Sequence, residues 1–300
     1  MTRKKSTRAQ IETRCRALEI LRPDGKAPQG VTVWTGPSLW DGEPIALVIN
    51  WSGCRTGRGN SKTGPMVQSY IAAIGRDPVA DVRSGADATV CGNCPKRPRS
   101  VRAAKRRNAR AIRVARENND PAPTPEPTET CYVNHGQGPA AIAAAMSRNQ
   151  YPAITPDIAA DLIAGFPIRL GTYGDPGMIP APVWRTLCAK ASERTGYTHR
   201  AQDVGADLIG LVMASADSLP EALALQADGW RTFRVTTDPT EPTQRGEAHC
   251  PAAIESGKRT TCETCPIKCN GTGSLLGRVI IDHGPGGLGR KLARDAAAAQ

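Results

Sequence analysis

The sequence predicts an α/β protein: a partial (β/α) barrel-like parallel sheet with a C-terminal cysteine-rich metal-binding extension and a basic helical insertion. Three observations lead there. Apolar stretches of strand length alternate with helical stretches from Tyr132 to Val235, the pattern of βαβ units. Four cysteines are compressed into C-x11-C-x2-C-x3-C between Cys250 and Cys269. Lys96 to Arg116 holds ten Lys or Arg and no acid, so the formal charge of +11 is a local property.

At 300 residues and 39% hydrophobic, the chain is long enough for one large domain or two ordinary ones, and its core needs no disulfides. A small stapled fold is excluded. Thirty glycines and 25 prolines make it rich in loops, while the frequency of aliphatic residues argues against wholesale disorder. No stretch approaches the roughly 18 apolar residues of a membrane span. The opening Met-Thr-Arg-Lys-Lys leads into polar residues and not the apolar centre of a secretory signal. The expectation is a cytoplasmic protein with no membrane partner. Ten cysteines there point to metal, because that compartment keeps thiols reduced.

Along the chain, residues 1–30 read as a basic arm and a short helix through Ile11, Leu18 and Leu21. Residues 31–245 read as the α/β body, 246–285 as the cysteine extension and 286–300 as a flexible tail. Val31–Trp34 and Ile45–Ile49 are expected strands around a turn, and Thr63–Gly75 an expected helix. The polar loop Gly53–Gly64 has no Walker match. Its Lys62-Thr63-Gly64 is a weak phosphate-site hint beside the plainer reading of an exposed loop. Ser100–Asn118 favours helix, with cations on every side and an apolar stripe too thin for a core. Residues 120–130 form a proline-rich acidic tether, so 96–130 reads as one inserted arm.

Further on come helix Gly138–Asn149, strand Ile168–Tyr173, helix Pro182–Thr195, strand Tyr197–His199, strand Leu208–Ala214, helix Leu219–Asp228 and strand Trp230–Val235. In such folds the chemistry gathers at the carboxyl ends of the strands. That rule brings Tyr173, Asp175, His199, Arg200, Ser215 and Asp217 to one rim. Tyr173, Asp175 and His199 are the candidate catalytic residues, the last two for proton transfer or substrate orientation. The competing readings are a turn residue before Pro176 for Asp175 and a strand-end packing residue for His199.

Cys250, Cys262, Cys265 and Cys269 supply four thiolates, enough to close a zinc site or an iron–sulfur cluster, and spacing alone does not choose between them. His249 and His283 are alternative ligands or turn residues. Cys91 and Cys94 form a C-x2-C knuckle, with Cys131 as a third donor. Three thiolates leave a metal position open to water, substrate or cofactor. The site is instead closed if Cys54 or His135 joins it, and a third reading has no metal there at all. Cys15 and Cys188, on expected helices, read as inert packing residues. The cations Lys96, Arg97, Arg99, Arg102, Lys105, Arg106, Arg107, Arg110, Arg113 and Arg116 suit nucleic acid through counterion release, against the reading of a solvated helix.

Several motifs together resemble an uncharacterised family encoded in tailed-phage genomes. They are Trp34-Thr-Gly-Pro-Ser-Leu, Asn60-Ser-Lys-Thr-Gly, the Cys91/Cys94 pair, Cys131-Tyr-Val-Asn, Gly136-Gln-Gly-Pro, Arg169-Leu-Gly-Thr-Tyr-Gly-Asp-Pro, Gly196-Tyr-Thr-His, Gly229-Trp-Arg-Thr-Phe-Arg and the terminal cysteines. The resemblance spans about Val31 to His283. More distantly, the chain is similar to the radical S-adenosylmethionine superfamily. That similarity implies a [4Fe–4S] cluster on Cys91, Cys94 and Cys131, S-adenosylmethionine as cofactor, a partial barrel, and an auxiliary cluster on residues 250–269. The chain departs from the superfamily's C-x3-C-x2-C loop, since its three cysteines flank a long insertion, and no Gly-Gly-Glu segment follows them. Two functions stand side by side: a phage-encoded iron–sulfur enzyme modifying a nucleic acid or nucleotide-type substrate, and a non-enzymatic zinc protein that binds nucleic acid in phage replication or host takeover.

Overall fold

The computed structural model describes residues 6–54, 62–123, 131–238, 240–253, 256, 258, 260–273 and 276–281. Most of the tether (124–130), most of the Gly-rich loop (55–61), His283 and the tail lie outside the described residues. The sheet has nine strands: β1 (Gly30–Pro37), β2 (Pro44–Asn50), β3 (Val67–Ala73), β4 (Ile168–Tyr173), β5 (Arg194–Thr198), β6 (Met213–Ala216), β7 (Thr232–Thr236), β8 (Glu247–His249) and β9 (Gly277–Ile281). Their spatial order is β1-β2-β3-β4-β5-β6-β7-β9-β8. The first three strands are antiparallel and every later pairing is parallel. From β3 to β7 each strand is laid beside its predecessor, the progression of a barrel wall. The sheet stays open, however, and leads with an antiparallel meander, which corrects the expectation of a parallel barrel-like body throughout.

The helices are α1 (Thr7–Ala17), α2 (Pro78–Ser84), α3 (Ala88–Cys91), α4 (Pro98–Asn118), α5 (Gly138–Ser147), α6 (Pro156–Leu162), α7 (Ala181–Cys188), α8 (Ala201–Val204) and α9 (Leu219–Ala227). Among them none is long and apolar enough to cross a membrane.

Strand alternation gives the sheet two unlike faces. One is aliphatic: Leu47, Ile71, Ile168, Leu170, Ala214 and Ala216 pack with Leu162, Trp184, Leu187 and Leu225 from α6, α7 and α9. The other bears Arg169, Tyr197, Met213, Phe233 and Arg278, brought to one side by the register pairs Arg169↔Thr195, Tyr197↔Met213 and Phe233↔Arg278. Met213, Phe233 and Ile280 there pack against Cys250, Ala252 and Ala253.

Three expected elements are corrected. Thr63–Gly75 holds strand β3 and not a helix: Val67, Ser69 and Ile71 are buried, with Gln68 and Tyr70 less so, and pairing to β2 and β4 outweighs the helix-forming alanines. The helix after β4 stops at Cys188, which leaves Arg194 and Thr195 to begin β5. The strand expected at Leu208–Ala214 starts at Met213, because Gly205–Leu208 forms a 3-10 turn that buries Leu208.

Cys188 sits on α7 against the aliphatic face, and burial pushes its thiol up to about 12. An unfolded chain ionises that thiol near its ordinary value of 9 while the folded chain keeps it protonated. Stability contributed by the protonated thiol is therefore complete below pH 9 and is lost as pH rises through that window. Cys188→Val should leave stability at pH 7 within about 1 kcal/mol of the parent. In denaturant titrations from pH 9 upward it should flatten the fall by as much as about 1.4 kcal/mol per pH unit. Equal slopes in the two proteins would show that Cys188 does not titrate there.

Candidate metal centre at the carboxyl rim

The rim is built from the chain turns that follow β4, β5 and β6. After β4 the chain turns through Gly174, whose φ of +77° and position against Ile71 and Val90 exclude a side chain. Asp175 follows, buried, and spends its oxygens on its neighbours. Oδ1 accepts from Gly177 N at 2.8 Å and from the Thr198 hydroxyl at 2.5 Å, and Oδ2 accepts from His199 N at 2.8 Å. Burial raises its pKa against the pull of those donors. Asp175 thus ties the end of β4 to the end of β5 and fixes where His199 leaves the sheet.

The cysteine knuckle comes to the same place. Cys91 ends α3, Gly92 turns with φ +57° beside Met178 and Arg200, and Cys94 N donates to Cys91 O at 3.3 Å. The Sγ of Cys94 lies 3.5 Å from His199 Nδ1. Cys131 returns through its own N–H, which donates to Lys96 O at 2.8 Å. The insertion therefore leaves and rejoins the body at one point, and the length between the second and third cysteines does not separate them. Burial, then the nearby Cys94 and Cys131, push the Cys91 thiol well up, and burial pushes Cys131 up to about 11.

A chain of charged contacts continues outward. His199 Nε2 is buried with no hydrogen-bond partner among the described residues and lies 3.7 Å from Asp217 Oδ2, while Lys96 Nζ stands 3.0 Å from Asp217 Oδ1. Asp217 is held in turn by its own N–H, which donates to Glu221 Oε2 at 2.7 Å at the start of α9. Burial opposes a charge on His199, yet Cys94 and Asp217 hold its pKa well above the usual imidazole value. Burial likewise opposes Asp217, but His199 and Lys96 bring its pKa down to about 2.

Of the expected rim residues, Asp175, His199 and Asp217 meet, and Tyr173 stands beside them with its ring edge-on to His135 at 5.8 Å. Burial pushes the Tyr173 phenol up, with Cys91 and Cys131 adding to it. Arg200 turns inward to brace Gly177 O at 2.8 Å, and Ser215 lies within β6 because that strand begins late. Cys54 does not join the knuckle. It is buried in the aliphatic core next to Trp51, on the side of Glu263.

The terminal cysteines dock on the second sheet face. Cys250 N donates to Val279 O at 2.9 Å, Cys262 N and Glu263 N to the carbonyls of Lys62 and Thr63, and Gly196 N to Cys269 O at 3.0 Å. Tyr197 stands beside Cys269, Cys250 lies within electrostatic reach of Cys262 and Cys265, and Cys269 within reach of Cys250 and Cys262. The Lys62-Thr63 backbone thus serves as a ledge for this segment. His249 is exposed on β8, away from a ligand role.

The donor sets fit a metal chemically: thiolates with an imidazole at the rim, and four thiolates on the sheet face. His199 turns Nδ1 to Cys94 at 3.5 Å and Nε2 toward Asp217 Oδ2 at 3.7 Å, so a carboxylate stands behind the ring nitrogen that would not face a metal. Among the described residues, no three His, Cys, Asp or Glu side chains already stand in coordinating geometry.

On α4, Val101, Ala104 and Ala115 are buried. The expected free arm is anchored at its base: Arg97 pairs with Asp87 at 2.8 Å, Arg99 donates to Ser84 O at 3.0 Å, and Lys96 faces Asp217. Arg102, Lys105, Arg106, Arg107, Arg110, Arg113 and Arg116 are exposed. Sequence reasoning missed the Lys96–Asp217 and Arg97–Asp87 contacts, since both cations belonged to a run read as solvent-facing.

Fold and site define a mixed α/β protein with a cysteine- and histidine-lined rim at the carboxyl ends of its parallel strands. Comparison with models of known families, with curated proteins and with solved structures finds no match.

Proposed function

We propose that the chain is an iron–sulfur enzyme, related to the radical S-adenosylmethionine type and encoded by a phage, that modifies a nucleic acid or nucleotide-type substrate. One observation supports this reading above others: Cys91, Cys94 and Cys131 come from stretches separated by the insertion, yet gather at the carboxyl rim, where parallel α/β folds place their chemistry. A bound cluster with S-adenosylmethionine would supply one-electron chemistry. The chain's own residues do the positioning. Asp175 fixes the backbone of His199, Asp217 backed by Lys96 stands against its imidazole opposite Cys94, and Tyr173 packs edge-on against His135 nearby.

Anaerobic purification followed by iron, sulfide and zinc analysis tests the reading. Brown protein that loses part of its iron on Cys91→Ala, while the terminal site stays loaded, is the expected result. Colourless protein holding zinc at both sites would overturn the iron reading in favour of a zinc protein, which the thiolate–imidazole donor set also suits.

The exposed cations of α4 support a polyanionic partner. Replacing Arg102, Arg106, Arg110 and Arg113 together with Gln should preserve folding and weaken binding to single- and double-stranded nucleic acids. It should also flatten the dependence of log affinity on log salt by about 0.7 to 0.9 for each phosphate no longer neutralised. An unchanged slope in a fluorescence-anisotropy titration would leave the helix as a solvated surface.

A further inference from the structure

Two arginines are almost completely buried in the sheet, Arg234 on β7 and Arg278 on β9, each 1% exposed. Arg234 shows what such burial normally requires. It meets Glu241 at 2.6 Å and Glu247 at 2.8 Å. Arg278 meets no carboxylate among the described residues, and its Nε and Nη2 have no hydrogen-bond partner there. An uncompensated buried guanidinium is strongly unfavourable, so its persistence calls for an anion.

The terminal cysteines are what lie beside it. Arg278 is in register with Phe233 and two residues from Ile280, and both pack against Cys250. Cys269 lies within electrostatic reach of Arg278. Arg169 on β4 repeats the situation nearby. It is 8% exposed, its Nε has no partner among the described residues, its Nη2 donates to the Tyr132 hydroxyl, and its charge acts on Cys262. Arg231 differs, because its Nη1 donates to the loop carbonyls of Lys268 and Thr272. Lys62, nearer solvent, adds to the positive field.

We propose that Arg278 and Arg169 are the counter-charges of a dianionic four-thiolate centre formed by Cys250, Cys262, Cys265 and Cys269. The proposal rests on the reading of those cysteines as a metal site. Loading releases the four thiol protons to solvent and places four thiolates around a dication, either zinc or an oxidised [4Fe–4S] core, which leaves two negative charges in both cases. Two buried guanidiniums balance that charge. Without the metal nothing holds four thiolates together beside the same guanidiniums, and among the described residues no carboxylate takes their place. The arginines thus favour the loaded state over the empty one.

The test uses the zinc-loaded full chain, challenged with EDTA, with each cysteine's exposure followed by iodoacetamide alkylation and peptide mass spectrometry. Zinc should protect Cys262 and Cys269. Arg278→Met should speed their exposure about tenfold or more and leave Cys91 and Cys94 unchanged, while Arg278→Lys should stay within about threefold of the parent. The metal-free Arg278→Met protein should resist denaturant better than the metal-free parent, because methionine removes a buried charge that meets no carboxylate among the described residues. Equal exposure rates, with no gain in metal-free stability, would overturn the counter-charge role. If zinc fails to protect these cysteines even in the parent, the metal reading falls and takes the proposal with it, and that failure appears in the parent arm alone. Should Arg278→Met not fold, Arg169→Met puts the same question to Cys262.

Discussion

Alanine in place of Asp175 is expected to cost about 3–5 kcal/mol of folding stability and to displace His199 from the rim. The carboxylate is buried and receives three donors: Gly177 N, the Thr198 hydroxyl and His199 N. Truncation leaves all three unpaired in a place water reaches poorly, and each unpaired donor costs roughly 1–3 kcal/mol. Asn at this position keeps one oxygen but presents an amide N–H to a donor, so an intermediate loss is expected. Denaturant unfolding of the two variants gives the ranking. A loss below about 1 kcal/mol for the alanine variant would mean that the turn after β4 is held by something other than Asp175.

The second large effect belongs to Asp217. Alanine there leaves His199 Nε2 and Lys96 Nζ without their carboxylate, in a pocket where Asp217 and Lys96 are both mostly buried. Breaking a buried pair by removing one partner costs about 3–5 kcal/mol. Because the carboxylate orients the imidazole, metal retention at Cys91, Cys94 and Cys131 should also fall about 10- to 100-fold. The acid limb offers a further readout. The folded pKa of Asp217 is lowered from 3.8 to about 2, so its stabilisation is complete above 3.8 and is lost as pH falls through about 2. The alanine variant should lack that part of the acid transition, visible in unfolding midpoints between about pH 4 and 2. Metal retention equal to the parent's would place His199 outside the centre.

Several elements were legible because their local pattern agreed with their surroundings. Ile168–Tyr173 reads as a strand and is one, and the helix read over Leu219–Asp228 runs from Leu219 to Ala227. The failures fall where tertiary context decides. Val67–Ala73 mixes strand and helix formers, and only its place between β2 and β4 resolves them. Leu208–Val212 is apolar enough for a strand yet is consumed by a turn that packs Leu208 and Leu211. At the rim, the strand-end rule anticipated that Asp175, His199 and Asp217 lie together, and Cys94 of the C-x2-C pair lies against His199. The partner of Lys96 could not be read, since a cation inside a basic run gives no local sign of facing a carboxylate more than a hundred residues away. Arg278 was equally silent: a lone arginine in Gly277–Ile281 is indistinguishable from a strand's solvent-facing residue until its neighbours are known.

The strand order also bears on the sequence of events during synthesis. From β1 to β7 every new strand finds its template already made, so that part of the sheet can grow in step with the emerging chain. The last two strands break the sequence. Among the described strands β8 pairs with β9 alone, and β9 must enter the slot between β7 and β8 after the cysteine segment has been made. Until Gly277–Ile281 arrives, β8 has no neighbour among the described strands, and Cys250 N lacks the Val279 carbonyl that anchors it. Completion of the sheet and docking of the terminal cysteine segment onto it are therefore one late step.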